Sequence, residues 1–501
     1  MEIFQRKLFK DHRFTGFVYN ELVDASEPLE GYLNLREILG ASNVFLLESC
    51  AGPRIDNRMS FIGIIGPLEI SVHRSVVSVA GQTNLVNAVV DRLVERGLIG
   101  MSTDGSLVLK KSEDFWNLPR VASEVFDVPC SARTFDFGFL AFYGYDTVHY
   151  LEDLPYRIGP RCEGIPDVTY MLVRGLVTLD IANQRGELSI VQGSFLPSLP
   201  VNEIKRALKR SCYIVDRAPT LSQRAVQVTD EISKREYLDR IDRCLEYIRV
   251  GDIYQVQIGH EIRITTDIDH IEVYRRLRKS NPSPYMVLLP IGRSMVVGAS
   301  PELFIRVNCK NVLMRPIAGT VRGASDGRHE EHLIRSFLRD PKERAEHVML
   351  VDLCRNDLSK FAARSSVRID DLMHLERFSH LFHIVSTISA KLPSWCDIYD
   401  VIRACFPAGT MTGAPKVRAM EIIEELEISR RGLYAGAFGL IGFGGWAELS
   451  LAIRMAVKTD DSYTLRASAG VVADSRREAE WDETITKLSA TYLAIAGKEL
   501  A

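Results

Sequence analysis

An α+β fold is predicted for the 501 residues by three observations. Residues 1–215 carry short β-like runs broken by turn residues, and residues 225–501 mix such runs with well-signalled helices. The mixture also lacks the strict strand–helix–strand order of a doubly wound parallel sheet. In the first part, Val44–Leu47, Ser60–Ile65, Phe137–Tyr143 and Tyr170–Leu179 read as strands. Between them, Val86, Val89, Val90 and Leu93 recur at helical spacing and predict a helix over Asn84–Arg96. Ser194–Pro200 carries turn chemistry ahead of a basic helix, and polar, irregular Arg217–Thr229 is the linker candidate. The second part opens on a capping box, Ser233 with Glu236, followed by an apolar stripe of Tyr237, Ile241, Cys244, Leu245 and Ile248. Gly251 is its natural C-terminal stop. Strands at Tyr285–Leu289 and Met295–Val297 follow, with helices near Pro341–Leu353, Pro415–Leu426 and Glu478–Ala494. No internal repeat of fixed period stands out.

Composition narrows the function classes. The chain has 46% hydrophobic and 25% charged residues, which excludes a disordered or fibrous protein. Its 62 basic residues nearly cancel 65 acidic ones, leaving a net charge of −3. No global field therefore draws it onto nucleic acid or an anionic membrane, and an acidic small-molecule substrate needs local cations instead. The N-terminus is charged every few residues and lacks the apolar core of a secretory leader. No uncharged apolar run approaches the ~18 residues of a membrane span. The nine cysteines are dispersed, without a C-x-x-C pair, which argues against a zinc site or redox dithiol. A cytoplasmic location with reduced thiols is the expectation.

Several segments bear chemistry. Asp340 and Pro341 suit a helix start, after which Glu343 and Glu346 lie three apart on one face. Glu480 and Glu483 repeat that spacing, with Lys487 four residues further. Glutamates so spaced ordinarily form a solvated face, but two such pairs brought together would suit Mg²⁺, which prefers oxygen ligands. Phe406–Lys416 offers two glycines, Thr410, Thr412 and a helix-opening Pro415, so its N–H groups suit an anion; a structural turn with a helix cap is the equal alternative. It is neither a Walker loop nor a dinucleotide fingerprint. Glu302 follows a short apolar strand, placed as a general acid. Asp352–Asp357 reads as a polar structural network as readily as a site, and His383 as a histidine among apolar neighbours. Arg454, alone in an apolar strand-like run, is a carboxylate-clamp candidate, with snorkelling to solvent as the alternative.

In this order, the segments from Gly251 (GDIYQVQIG), Arg315 (RPIAGT), Pro341 (PKERAEHVMLVDLCRND), His383 (HIVS), Phe406 (FPAGTMTGAPKVRAMEIIEELE) and Val471 (VVADSRREAEWDET) resemble the chorismate-utilising enzymes. The resemblance is strongest to their anthranilate synthase large-subunit branch and covers nearly the whole chain. It implies two orthogonally stacked antiparallel sheets flanked by helices in one two-lobed unit, with chorismate and Mg²⁺ in a cleft. Residues 1–215 would form an N-terminal lobe and 225–501 the catalytic region. By the resemblance Glu346 and Glu483 would bind Mg²⁺ directly, with Glu343 and Glu480 close by and partly acting through water. Arg454 and Tyr434 would hold the enolpyruvyl carboxylate, helped by the backbone around Ser468, Ala469 and Gly470. Gly319 and Thr320 of RPIAGT belong to the same substrate side, and Lys487 would add positive charge. Glu302 would protonate the departing 4-hydroxyl while ammonia attacks C2, with His383 and Thr410 against the ring.

Two positions sort the reaction. Gln255 stands where water-adding relatives carry a lysine base, and a neutral amide cannot deprotonate water, which favours ammonia. Ala318 replaces the lysine of 4-amino-4-deoxychorismate synthases, which points to 2-amination. The expected reaction is amination followed by pyruvate elimination to anthranilate. The alternatives are release of 2-amino-2-deoxyisochorismate, 4-amination, and a non-catalytic family member. No cysteine lies in a glutaminase elbow, so a separate glutamine amidotransferase subunit is the implied partner, with free ammonia as the other source and homo- or hetero-oligomers both open. Leu47, Glu48 and Ser49, with Pro282, Tyr285 and Met286, resemble the family's tryptophan-feedback site and either bind the effector or preserve the fold. The chain departs from the family pattern at Ser468 (usually glycine), at Thr412 (usually serine) and in the run Gly444–Ser450, all on the substrate side.

Overall fold

Apolar continuity decides where the strands lie. The computed structural model describes residues 13–23, 27–53, 55–56, 59–155, 158–159, 165–180, 183, 185–210, 226–322, 327–378 and 381–500. The predicted β-runs form strands at Val44–Glu48, Met59–His73, Gly138–Tyr143 and Val168–Asp180; near-continuous burial marks them as covered on both faces, except that Met59–His73 alternates in its second half. Among the described residues every strand except the short pair Phe14–Thr15 and Phe126–Asp127 belongs to one hydrogen-bonded system of antiparallel neighbours. With its flanking helices this is the predicted α+β class.

Two long strands divide the system into two arms. Met59–His73 and Val168–Asp180 pair with each other along their length, with register shifts between Met171 and Val173 and between Val173 and Gly175. Bulges of this kind bend a sheet and redirect its strands. On one side of the bend, these strands continue through Val44–Glu48, Tyr285–Ile291, Ser294–Ser300, Met455–Thr459 and Ser462–Val471 to Gln255–Thr265. On the other they continue through Gly138–Tyr143, Ala437–Gly442, Ala447–Leu451, Leu303–Asn308 and Asn311–Met314 to Leu381–Lys391. Phe45, Val287 and Val296 from the first arm meet Phe142, Phe438 and Leu440 from the second in a buried layer between them.

The helix signals translate closely. The Ser233–Glu236 box caps Lys234–Arg249, and Gly251 follows with a left-handed φ of 86°. Asp340 accepts from the Glu343 N–H at 3.3 Å at the start of Pro341–Ser359. That helix passes the predicted end at Leu353 because Asp357, 1% exposed, is held by Lys416 and Lys360. The predicted C-terminal helix spans Arg477–Ala496. The helix expected over Asn84–Arg96 spans Thr83–Glu95 and buries Leu85, Val89 and Leu93, with Val86 and Val90 half-buried against the same core. One expectation is corrected. Within the linker candidate, Gln227–Asp230 is a strand paired to Ile262–Thr265, because an edge of the first arm was open to it. The rest of that candidate, 217–225, and the N-terminal residues 1–12 lie outside the described residues.

Candidate active site

Helix Arg477–Ala496 packs on strand Ser462–Val471 and carries Glu480, Glu483 and Lys487 along one side. Glu480 is buried. The Lys487 ammonium lies 2.5 Å from the Glu483 carboxylate and donates to the Ser468 carbonyl at 2.8 Å. Arg454 donates to the Lys487 carbonyl at 2.5 Å. Arg454 is not inside an apolar strand, as its sequence context suggested. It stands at φ 54° in the break between Ala447–Leu451 and Met455–Thr459, and this left-handed residue interrupts the ladder.

Strand Ser462–Val471 delivers the next groups. Its register sets Gly470 opposite Gln257 and Ser468 opposite Gly259. The Ser468 hydroxyl donates to Gln257 Oε1 at 3.0 Å and lies 2.7 Å from the Tyr434 hydroxyl. A hydroxyl has one proton, so Tyr434 donates to Ser468. Any β-carbon on Gly470 would stand 2.8 Å from Gln257 Nε2 and 2.9 Å from Gln255 Nε2, which explains the glycine. Ala469 is fully buried and offers its backbone alone. Gln255 is buried, and its Oε1 has no hydrogen-bond partner among the described residues.

Glu302 follows strand Ser294–Ser300, and its carboxyl is buried beside Thr410 and Lys487. Burial pushes its pKa up to about 8, against the opposing pull of the Thr410 hydroxyl and the Lys487 charge. His383 Nδ1 sits 2.8 Å from the Gly319 carbonyl, which makes Nδ1 the protonated nitrogen and leaves Nε2 with a lone pair. Burial, and then the nearby Arg454 charge, hold its pKa down. Gly319, at φ 61° in strand Ile317–Arg322 next to Thr320, has no room for a side chain: a β-carbon would collide with Glu343 Oε2 and reach 2.6 Å from Phe337. Glu343 and Glu346 are half-buried. One residue on, fully buried His347 lies 2.6 Å from Ser386 Oγ, pinning the glutamate helix to the His383 strand.

The loop Phe406–Lys416 resolves its two sequence readings towards structure. Thr412 is fully buried and donates to the Ala408 carbonyl, and Lys416 donates to Asp357 and to the Cys405 and Pro407 carbonyls. Gly413 and Ala414 pair with Gln255 and Val256, so the N–H groups expected to face an anion sit in a packed sheet edge. Pro415 is the helix N-cap rather than its first residue. Thr410 lies beside the Glu302 carboxyl.

A profile of the family described as "chorismate binding enzyme" matches residues 91–492. The chain belongs to that family. This chorismate-binding enzyme is 45% identical to a 2-amino-4-deoxychorismate synthase of Streptomyces globisporus, over 95% of its own length and 96% of the relative's. It is 34% identical to anthranilate synthase component 1 of Aquifex aeolicus (strain VF5), over 98% and 96%. Its fold matches a crystal structure of anthranilate synthase component I from Streptococcus pneumoniae TIGR4 with a TM-score of 0.69 at 26% identity, covering 87% and 92%.

The enzyme's acidic residues suit Mg²⁺ chemically. All four are oxygen donors, Gly319 leaves space against Glu343, and buried Glu480 needs a cation or proton nearby. Among the described residues no three His, Cys, Asp or Glu side chains already form a metal-sized group. Mg²⁺ is commonly held by one or two carboxylates with retained waters, so preassembly is not required.

Away from this centre, Leu47, Glu48, Tyr285 and Met286 line a small pocket between the arms, with Phe61 and Trp446. Ser49 and Pro282 are not among its lining residues. Glu48 accepts from Tyr274 at 2.7 Å and from Arg278, and Ser49 donates to the Asp56 carbonyl at 3.1 Å.

Sequence reasoning missed His260 and Gln257. His260, fully buried, binds Asp230 at 2.9 Å and Thr484 at 3.0 Å and stacks on Trp481, gripping the Glu480–Glu483 helix. The signal was the alternation in Gln255–Thr265, where polar side chains recur inside an otherwise apolar strand.

Proposed function

We propose that the protein aminates chorismate at C2 with ammonia and releases 2-amino-4-deoxychorismate, which keeps the enolpyruvyl ether. The observation that carries the amination is Glu302. Ammonia is a nucleophile only as its free base, at alkaline pH where an ordinary glutamate is ionised. Burial keeps Glu302 protonated to about pH 8, so an acid remains for the departing 4-hydroxyl. Arg454 and Lys487 supply the positive charge that a dianion needs, and Gln255, neutral and buried, favours ammonia over water.

Mg²⁺ belongs to the proposal. Glu346 and Glu483 would hold it, with Glu343 and Glu480 beside them, and it would neutralise the ring carboxylate. A separate amidotransferase subunit would supply ammonia. Tryptophan feedback at the pocket of Leu47, Glu48, Tyr285 and Met286 is the regulatory part of the proposal, and inhibition of chorismate turnover by added tryptophan tests it.

The 45% identical relative supports the early stop, since 2-amino-4-deoxychorismate and 2-amino-2-deoxyisochorismate denote the same compound. A second reading, anthranilate formation, is favoured by His383, whose Nε2 lone pair is a base suited to the elimination. Incubation with chorismate, Mg²⁺ and ammonium salt at alkaline pH separates them. An aminated product that retains enolpyruvate supports the first reading. Fluorescent anthranilate with stoichiometric pyruvate sinks it in favour of the second, and a hydroxylated product sinks both.

A further inference from the structure

Pyruvate elimination from the aminated ring is a defined electron flow. A base takes the C2 proton, the C2–H pair closes the ring double bond, and the C3–O bond breaks. The enolpyruvate leaves as an enolate with the electron pair of that bond and takes up a proton at its methylene carbon to end as pyruvate. The step therefore needs a base at C2 and a hydrogen-bond donor or cation at the departing group. His383 Nε2 meets the first requirement. The second falls to Tyr434 and Arg454, which lie together and which the family resemblance assigns to the enolpyruvyl carboxylate.

Tyr434 has one proton to give, and the structure shows where it goes. Its hydroxyl is 2.7 Å from Ser468 Oγ, and Ser468 passes its own proton on to Gln257 Oε1 at 3.0 Å. The relay ends on an acceptor, so it orders all three groups in one direction and commits the Tyr434 proton to the protein. Ser468 is 1% exposed and is held from its other side by Lys487, which donates to its carbonyl. Without the Ser468 hydroxyl, Tyr434 would lose its acceptor in this relay and its proton would be released from it.

Resting on the amination reading, we infer that Ser468 is the specificity-determining residue that stops the reaction at the amine: its hydroxyl occupies Tyr434 and withholds the donor that the departing enolpyruvate requires. Ser468 neither touches the reacting atoms nor alters the base. It changes which of two successive steps the site supports.

The test is product partition in Ser468→Gly and Ser468→Ala, each checked for a native circular dichroism spectrum. Purified enzyme is given chorismate, Mg²⁺ and ammonium chloride, and anthranilate plus pyruvate are measured against the enolpyruvyl-bearing amine. Partition is a ratio, so a loss of folded protein or of overall rate does not move it. The expected result is a wild type that releases the amine and variants whose anthranilate share rises at least about tenfold, the value of one charge-assisted hydrogen bond. Two variants that keep the wild-type ratio overturn the role of Ser468 while leaving the amination reading standing. A wild type that already yields anthranilate overturns both the proposed product and this inference, and a wild type that consumes no chorismate overturns the reaction itself.

Discussion

A single carboxyl shows how burial is turned to chemistry. Glu302 sits behind strand Ser294–Ser300 with Thr410 and Lys487 as its polar neighbours, and burial outweighs both, so its pKa rises from 4.5 to about 8. The folded protein then retains a proton that the unfolded chain releases. The group's contribution to stability is full below about pH 4.5 and declines as pH rises to about 8. Glu302→Gln is expected to lower turnover by about 10²–10⁴-fold and, at pH 8, to raise the melting temperature, with a gain on the order of 1–3 kcal/mol. Turnover and thermal unfolding at pH 6 and pH 8 check both halves, and a variant with wild-type turnover removes Glu302 from the role of acid. Glu302, Arg454 and Lys487 were legible because each stands in a distinctive local pattern. Ser468 was legible only as a departure from the family pattern. Its bonds depend on the pairing of two strands about two hundred residues apart in the chain, which no local pattern encodes.

Among the elements, two helices carry the acidic residues and each is fixed from outside the site. Pro341–Ser359 is pinned through His347 to Ser386, and Arg477–Ala496 through Thr484 to His260. Helix spacing in the sequence placed the glutamates correctly on shared faces, since 3.6 residues per turn is a local property. It could not show which partner faces them. Strand Ile317–Arg322 demonstrates the point, because Gly319 is shaped by Glu343 on one side and its carbonyl accepts from His383 Nδ1 on the other. Gly319→Ala combines a left-handed backbone with a collision. A loss of at least about 1 kcal/mol is expected, along with weaker half-saturation by Mg²⁺. Denaturant unfolding and a Mg²⁺ titration of chorismate turnover separate the two effects. An unchanged half-saturation would show that Glu343 does not depend on this glycine.

At the scale of the molecule, a buried charge network locks the site-bearing strands to the rest. Glu427, 3% exposed, accepts from the Gly259 N–H, from Arg431 at 2.8 Å and from Arg466 at 2.8 Å. Arg431 in turn donates to the Met411 and Gln257 carbonyls. Burial alone would raise the Glu427 pKa, but the two arginines and the Gly259 N–H outweigh it and hold it below the usual carboxylate range. Its stabilisation is therefore present above that range and lost as pH falls through the lowered value. Glu427→Gln leaves buried Arg431 without its carboxylate and Arg466 with Glu231 alone, at 3.6 Å, and is expected to cost about 3–5 kcal/mol. Urea unfolding at neutral pH measures this, and a cost below about 1 kcal/mol would mean that solvent reaches the arginines.

What the sequence by itself determined is the local grammar and the family. Caps, turns, apolar runs and ordered motifs depend on neighbours a few residues apart, and they carried the α+β class, the helix starts and most of the acid, base and cation candidates. What only the tertiary structure decided is how those candidates address one another. The bend shared by Met59–His73 and Val168–Asp180, the left-handed turn that directs Arg454 to Lys487, and the Tyr434–Ser468–Gln257 relay all arise from contacts between remote segments. A hydrogen bond commits one proton to one acceptor, and that acceptor exists at the right place only after the remote strands have paired.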